Sequence, residues 1–295
     1  MKYYFLLFIF INGAGLIYGQ KSNDLEIETT FSKVFKDDKK FTELSFSVDD
    51  SKGGLFIGRS YKRGCYIEHY DSSLDLLSSY DFELDNKHSK ILEAFVDEGK
   101  LIVVEANYNR DANQLQYLAH QTQIENFDFK ASKMLGIDFN KFRKLAAVVA
   151  FVPINFGGVD GDFFGNMVIS KDREHFVITQ DIKDKDSELR QVHVFNKKMK
   201  KLYSHLFERN IKDKDFELQN VDIDKNGTVY MLGKVKTEKA ENKDEGGKYQ
   251  YELYKIHGEK REKLTFSSAE KYVGSLTTVI NDGELFCIGF YSEKK

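Results

Sequence analysis

Asp222-Ile223-Asp224-Lys225-Asn226-Gly227 sets oxygen-bearing side chains at alternate positions ahead of a glycine, the opening of a loop that would wrap a hard cation such as calcium. The twelfth position settles that reading. It holds Gly233 where a bidentate glutamate is required, and the residues from Val229 onward read as a strand where a helix should start, so the segment is predicted to be a hairpin turn. Gly157-Gly158-Val159-Asp160-Gly161-Asp162-Phe163-Phe164-Gly165 carries a calcium-type nonapeptide pattern, but a single copy lacks the stacked neighbours such repeats need. It reads as a glycine-rich insertion, in which Asp160 and Asp162 are the residues a metal would use.

Acid-base and nucleophilic chemistry fare no better. The histidines at 69, 88, 120, 175, 193, 205 and 257 form no pair at helical zinc-binding spacing, and no serine stands in a nucleophile elbow. His69 and His193 fall at neighbouring places in matching strand-like runs, which assigns them structural roles. No phosphate-binding loop or cofactor motif is present, and no catalytic, cofactor-binding or metal-binding residue is assigned. Carboxylates scattered along the chain leave one catalytic route open. Two of them brought about 5 to 9 Å apart in a cleft would suit glycoside hydrolysis.

The elements that would position such groups are clearer. A strand-turn-strand phrase recurs at intervals of about fifty residues. Its turns are Ser51-Lys52-Gly53-Gly54, Asp97-Glu98-Gly99, a degenerate Ser170-Lys171-Asp172-Arg173-Glu174, Asp224-Lys225-Asn226-Gly227 and Asn281-Asp282-Gly283. Asn226-Gly227 and Asp282-Gly283 suit type I′ hairpins, in which both central residues take positive φ. Phe216, Leu218, Val221 and Ile223 predict a strand with one irregularity before the first of these. A second phrase also recurs: Ile67 to Leu77 matches Val192 to Leu202, each an aromatic strand end, a turn with an acid or amide, and an outer strand. Phe127-Asp128 with Met134-Leu135, and Tyr249 to Leu264, are looser copies.

Each unit therefore has four strands, and the fold class predicted is all-β: a β-propeller of four-stranded blades, about five in number, the last incomplete. A β-sandwich is the runner-up, but it gives no reason for the hairpin and its following strand pair to recur. Leu25, Ile27, Thr29 and Phe31 alternate as a possible closing strand, which would still leave a four-stranded blade short by one. An insertion is expected from roughly Asp138 to Asn166, around Pro153. Lys236 to Lys248, which lacks large apolar residues, reads as a mobile hairpin loop, and the Ile182 to Asp186 and Ile211 to Asp215 segments as solvated charge.

Residues 1–19 have a signal-peptide layout, Lys2 followed by an apolar run to Ile11 and then small residues to Gly19, which leaves 20–295 as the propeller domain of an exported protein, periplasmic or secreted. The apolar run is too short to remain as a span, for which about 20 residues are needed. The full chain has a formal charge of -3, and an exported, slightly acidic protein is a poor partner for nucleic acid. Cys65 and Cys287 both lie in apolar strand-like runs and are expected to be buried free thiols, unless the chain ends meet and bridge them.

Tyr230-Met231-Leu232-Gly233 and Phe286-Cys287-Ile288-Gly289-Phe290-Tyr291 resemble phrases in a group of uncharacterised exported bacterial proteins with propeller-type repeats, best from about Gly165 to Lys295. The resemblance implies a propeller and export and no assigned activity. It also implies that relatives continue past a phrase like Gly289-Phe290-Tyr291-Ser292, so truncation at the C-terminus is expected. The absence of tryptophan argues against the WD-repeat subclass. The function expected is a non-enzymatic binding or scaffold role toward an unknown protein or glycan ligand. The alternatives are a propeller hydrolase acting on carbohydrate or another extracytoplasmic substrate, and a fragment without independent function.

Overall fold

A computed structural model describes residues 43–85, 89–141, 164–182, 184, 186–236, 249–266 and 272–292. Residues 1–19, read as a signal peptide from the sequence, the alternating Leu25 to Phe31 stretch, Pro153, Asp160 and Asp162, and nearly all of the Lys236 to Lys248 loop lie outside them.

The described strands form five antiparallel sheets, in each of which strand order follows chain order. The first holds β1 (Glu43–Asp49), β2 (Leu55–Tyr61), β3 (Gly64–Tyr70) and β4 (Leu76–Glu83). The second holds β5 (Ser89–Asp97), β6 (Lys100–Asn109), β7 (Gln114–Gln123) and β8 (Lys130–Asp138). The third holds β9 (Asn166–Ile169), β10 (His175–Ile182), β11 (Glu188–Asn196) and β12 (Lys201–Arg209). The fourth holds β13 (Phe216–Ile223), β14 (Val229–Lys236), β15 (Tyr249–His257) and β16 (Lys260–Phe266), and the fifth pairs β17 (Tyr272–Asn281) with β18 (Glu284–Ser292).

Successive sheets pack face to face, which explains why β6 and β10 are buried runs and not alternations: both their faces are covered. Phe176 and Ile178 of β10 join Phe95, Ile102 and Tyr117 in the core between the second and third sheets. Val177, on the opposite face of β10, joins Phe207, Met231 and Tyr254 between the third and fourth. Phe46, Phe56 and Ile67 meet Leu101 and Val103 between the first two sheets, and Leu232, Tyr251 and Leu253 meet Leu276 and Leu285 between the last two. Four four-stranded blades and a two-stranded fifth match the predicted propeller and its incomplete last unit.

The fifth sheet is where burial fails. Phe176 and Met231 are fully buried, whereas Phe286, Ile288 and Phe290 on β18 are 45%, 56% and 79% exposed. This corrects the expectation for the cysteines. Both are free and Cys65 is buried, but Cys287 is exposed because β18 has no third strand or facing sheet over it among the described residues. Outer strands of the complete blades protect their edges with charge, as in Lys260, Arg261, Glu262 and Lys263 of β16.

One turn also differs from expectation. Asp282 and Gly283 both take positive φ, 51° and 83°, as a type I′ hairpin requires. Glu98 and Gly99 do the same, but at Asn226-Gly227 only the glycine does, with φ of 76°. The reason is Asp224. Its Oδ1 accepts the amides of Asn226 and Thr228 at 2.8 Å each, while Gly227 N–H bonds the Asp224 carbonyl at 3.0 Å, so the side chain stabilises a wider loop. The irregularity predicted before this turn is a β-bulge between Leu218 and Asn220.

Candidate functional site

The carboxylates and histidines that invite a catalytic reading support turns and strands. Asp50 closes the first hairpin by accepting the amides of Lys52 and Gly54 at 2.7 and 2.8 Å, and it meets His69 Nε2 at 2.9 Å. Burial pushes its carboxyl up, but the bonds from His69 and the two amides outweigh burial and leave it below its ordinary value. His69 also stacks on Phe56 with ring centroids 4.1 Å apart. Glu105 pairs with His120 at 2.6 Å across β6 and β7 and takes a bond from Asn107 at 3.1 Å. Both histidine-carboxylate pairs sit inside single sheets.

His193 belongs to a contact that its sequence neighbourhood does not announce. Its Nδ1 lies 2.8 Å from the Ser204 hydroxyl on β12 and its Nε2 lies 3.3 Å from Gln191 Oε1. The arrangement has the outline of a serine-histidine dyad, but burial pushes the imidazole down to about 4. A base that weak is poorly matched to neutral pH, and Gln191 supplies no carboxylate to stabilise an imidazolium.

The calcium-like segment is likewise committed to structure. Asp224 is used by its turn, and Asp222 accepts from the Asn220 amide at 2.9 Å and from the Thr278 hydroxyl, which ties β13 to β17. Among the described residues, no three of His, Cys, Asp and Glu come together to hold a metal ion.

A different constellation forms between the third and fourth blades. Alternation along β12 turns Tyr203, His205, Phe207 and Arg209 toward the fourth sheet. The Tyr203 hydroxyl donates to the Gly227 carbonyl at 2.7 Å, and Phe207 meets Tyr254 edge-on at 4.7 Å. Arg209 ends the row. Its Nε and one terminal nitrogen form a two-pronged bond to Glu252 at 3.0 and 3.1 Å. Glu252, on β15, is fully buried and also accepts from Gln250 at 2.9 Å, Lys263 at 3.3 Å and the Tyr254 hydroxyl. Burial alone would raise its carboxyl, but the bonds from Tyr254 and Arg209 hold it below the usual value.

Arg261 on β16 approaches from the other side, 5.6 Å from the Phe207 ring centroid and 6.0 Å from that of Tyr254. It donates to the Glu208 carbonyl at 2.6 Å. The two guanidiniums thus border one open cleft of about 560 Å³, together with His205, Leu206, Glu208, Asn210 and Glu259. The β15–β16 turn at Gly258-Glu259 fixes the rim, because His205 Nδ1 lies 3.1 Å from the Gly258 carbonyl. A second, polar cleft of about 440 Å³ lies on the second blade beside Lys100, Gln121, Asn126, Asp128 and Ser132. Nothing in the sequence marked either cleft, since Arg209 and Glu252 are 43 positions apart.

No protein-family model matches the chain, and no curated protein matches it significantly. Solved structures are similar to it at low identity. It is 11% identical to the β-propeller domain of the Trilobed protease from Pyrococcus furiosus, with a TM-score of 0.42, over 86% of this chain and 66% of that one, so it spans a little under two thirds of that protein's length. It is 10% identical to a GH43 endo-arabinanase from Bacillus licheniformis, with a TM-score of 0.38, over 88% of this chain and 96% of that one. Such likeness concerns fold and carries nothing about activity. The chain is a β-propeller on the testimony of its own sheets.

Proposed function

We propose that the chain is an exported, non-enzymatic binding propeller that takes a ligand in the cleft between its third and fourth blades. The observation that carries this reading is the pair of guanidiniums already held in place: Arg209 by a buried carboxylate and Arg261 by two aromatic rings and a carbonyl. Donors fixed before binding lose little conformational freedom when a ligand arrives, so they favour affinity. The His69, His120 and His193 contacts, by contrast, are engaged within their own sheets and suit support more than turnover. The export proposal rests on the layout of residues 1–19.

The test is an assay of residues 20–295 against extracellular polysaccharides, esters and peptides, with turnover and thermal shift read in parallel. Raised melting temperature without product formation is expected for a bound member of the panel. Release of reducing ends or cleaved peptide in proportion to protein would establish the hydrolase reading instead.

A further inference from the structure

We infer that the ligand of this cleft is an acidic sugar, one carboxylate per ring surrounded by hydroxyls; the inference rests on the binding reading above. Bonding to Glu252 fixes Arg209 through Nε and one terminal nitrogen, and the guanidinium held in this way lines the cleft. Arg261 gives one terminal nitrogen to the Glu208 carbonyl and keeps Nε and the other. Two guanidiniums lining one cleft, Arg261 with donors to spare, match a carboxylate.

The remaining lining selects against closely spaced charges. Glu208 and Glu259 repel closely spaced negative charges but accept bonds from hydroxyls, and the Asn210 amide can donate or accept. His205 donates from Nδ1 to the Gly258 carbonyl, which holds its ring at the rim of the cleft. Leu206, 55% exposed, adds apolar surface of the kind the C–H face of a sugar ring covers. A volume of about 560 Å³ lies within the usual range for small-ligand sites. An acidic peptide would bring a carboxylate at every residue against two glutamates, and the hydroxyl acceptors would have nothing to bind.

The experiment is calorimetric titration of residues 20–295 with four probes: a uronic acid trisaccharide, its methyl ester, the matching neutral trisaccharide and a hexaglutamate peptide. The acid should bind at least tenfold more tightly than ester, neutral sugar or peptide, and Arg261→Gln should lose that preference while the protein still unfolds in one cooperative transition. Equal binding of acid and ester would overturn the carboxylate inference while leaving a sugar-binding propeller. Tighter binding of hexaglutamate would overturn the sugar. Absence of binding by all four would overturn the inference, and shortening of the trisaccharide would overturn the non-enzymatic reading beneath it. The ester comparison needs no variant, so the proposal stays testable if Arg261→Gln fails to fold.

Discussion

Replacing Arg209 by alanine removes the main counter-charge from a carboxylate that has no contact with water. Glu252 would keep Gln250, Lys263 and the Tyr254 hydroxyl, so its desolvation would be compensated in part. Removing one partner of a buried pair costs about 3–5 kcal/mol, and the remaining donors place this case near 3 kcal/mol. For a domain of this size that corresponds to a fall of roughly 6–12 °C in melting temperature. The pH dependence gives the sharper check. A carboxyl held low in the folded state contributes stability that is present above its unfolded value, near 4.5, and lost as the pH falls through the folded value. Without the guanidinium the folded value rises, so the gap between Arg209→Ala and the unaltered protein should be widest at pH 7 and narrow as the pH falls through the variant's raised value toward the lower value of the unaltered protein. Urea denaturation across pH 4 to 7 measures it. A gap under about 1 kcal/mol at pH 7, or one that does not change with pH, would refute the account of Glu252 as an ionised, guanidinium-dependent centre of the third and fourth blades.

Three further outcomes are expected. Phe176→Ala, at a fully buried ring stacked on Phe195 and tilted against Phe95, should cost about 3–5 kcal/mol in urea denaturation, whereas Phe290→Ala, at a ring 79% exposed, should change stability by less than about 0.5 kcal/mol. His193, pushed down to about 4 by burial, takes up its proton more readily unfolded than folded, so stability should fall between pH 6.5 and about 4; His193→Gln should flatten that part of the profile, and an unchanged slope would contradict the neutral buried ring. A disulfide reagent should label one thiol per native chain, the exposed Cys287, and two in urea, because burial encloses Cys65 and pushes its thiol up to about 12.

The repeat was legible in the sequence because hairpins and strand patterning are local. A turn such as Asp282-Gly283 depends on two adjacent residues that tolerate positive φ, and the run Phe176-Val177-Ile178 announces a strand covered on both faces. Four-stranded units and a short last one followed from counting such signals. Neighbouring side chains already outran the local rule at Asn226-Gly227, where Asp224 draws two amides to itself and widens the turn. Cys287 shows the same limit on a larger scale: an apolar strand is buried only when other strands cover it, and composition does not say whether they do. The cleft was decided wholly by tertiary structure. Arg209, Glu252 and Arg261 stand on three strands of two sheets, and they meet because Phe207 packs on Tyr254 and sets β12 against β15 and β16. The sequence by itself determines what each blade is made of; the packing of one blade on the next determines which of their polar groups share a site.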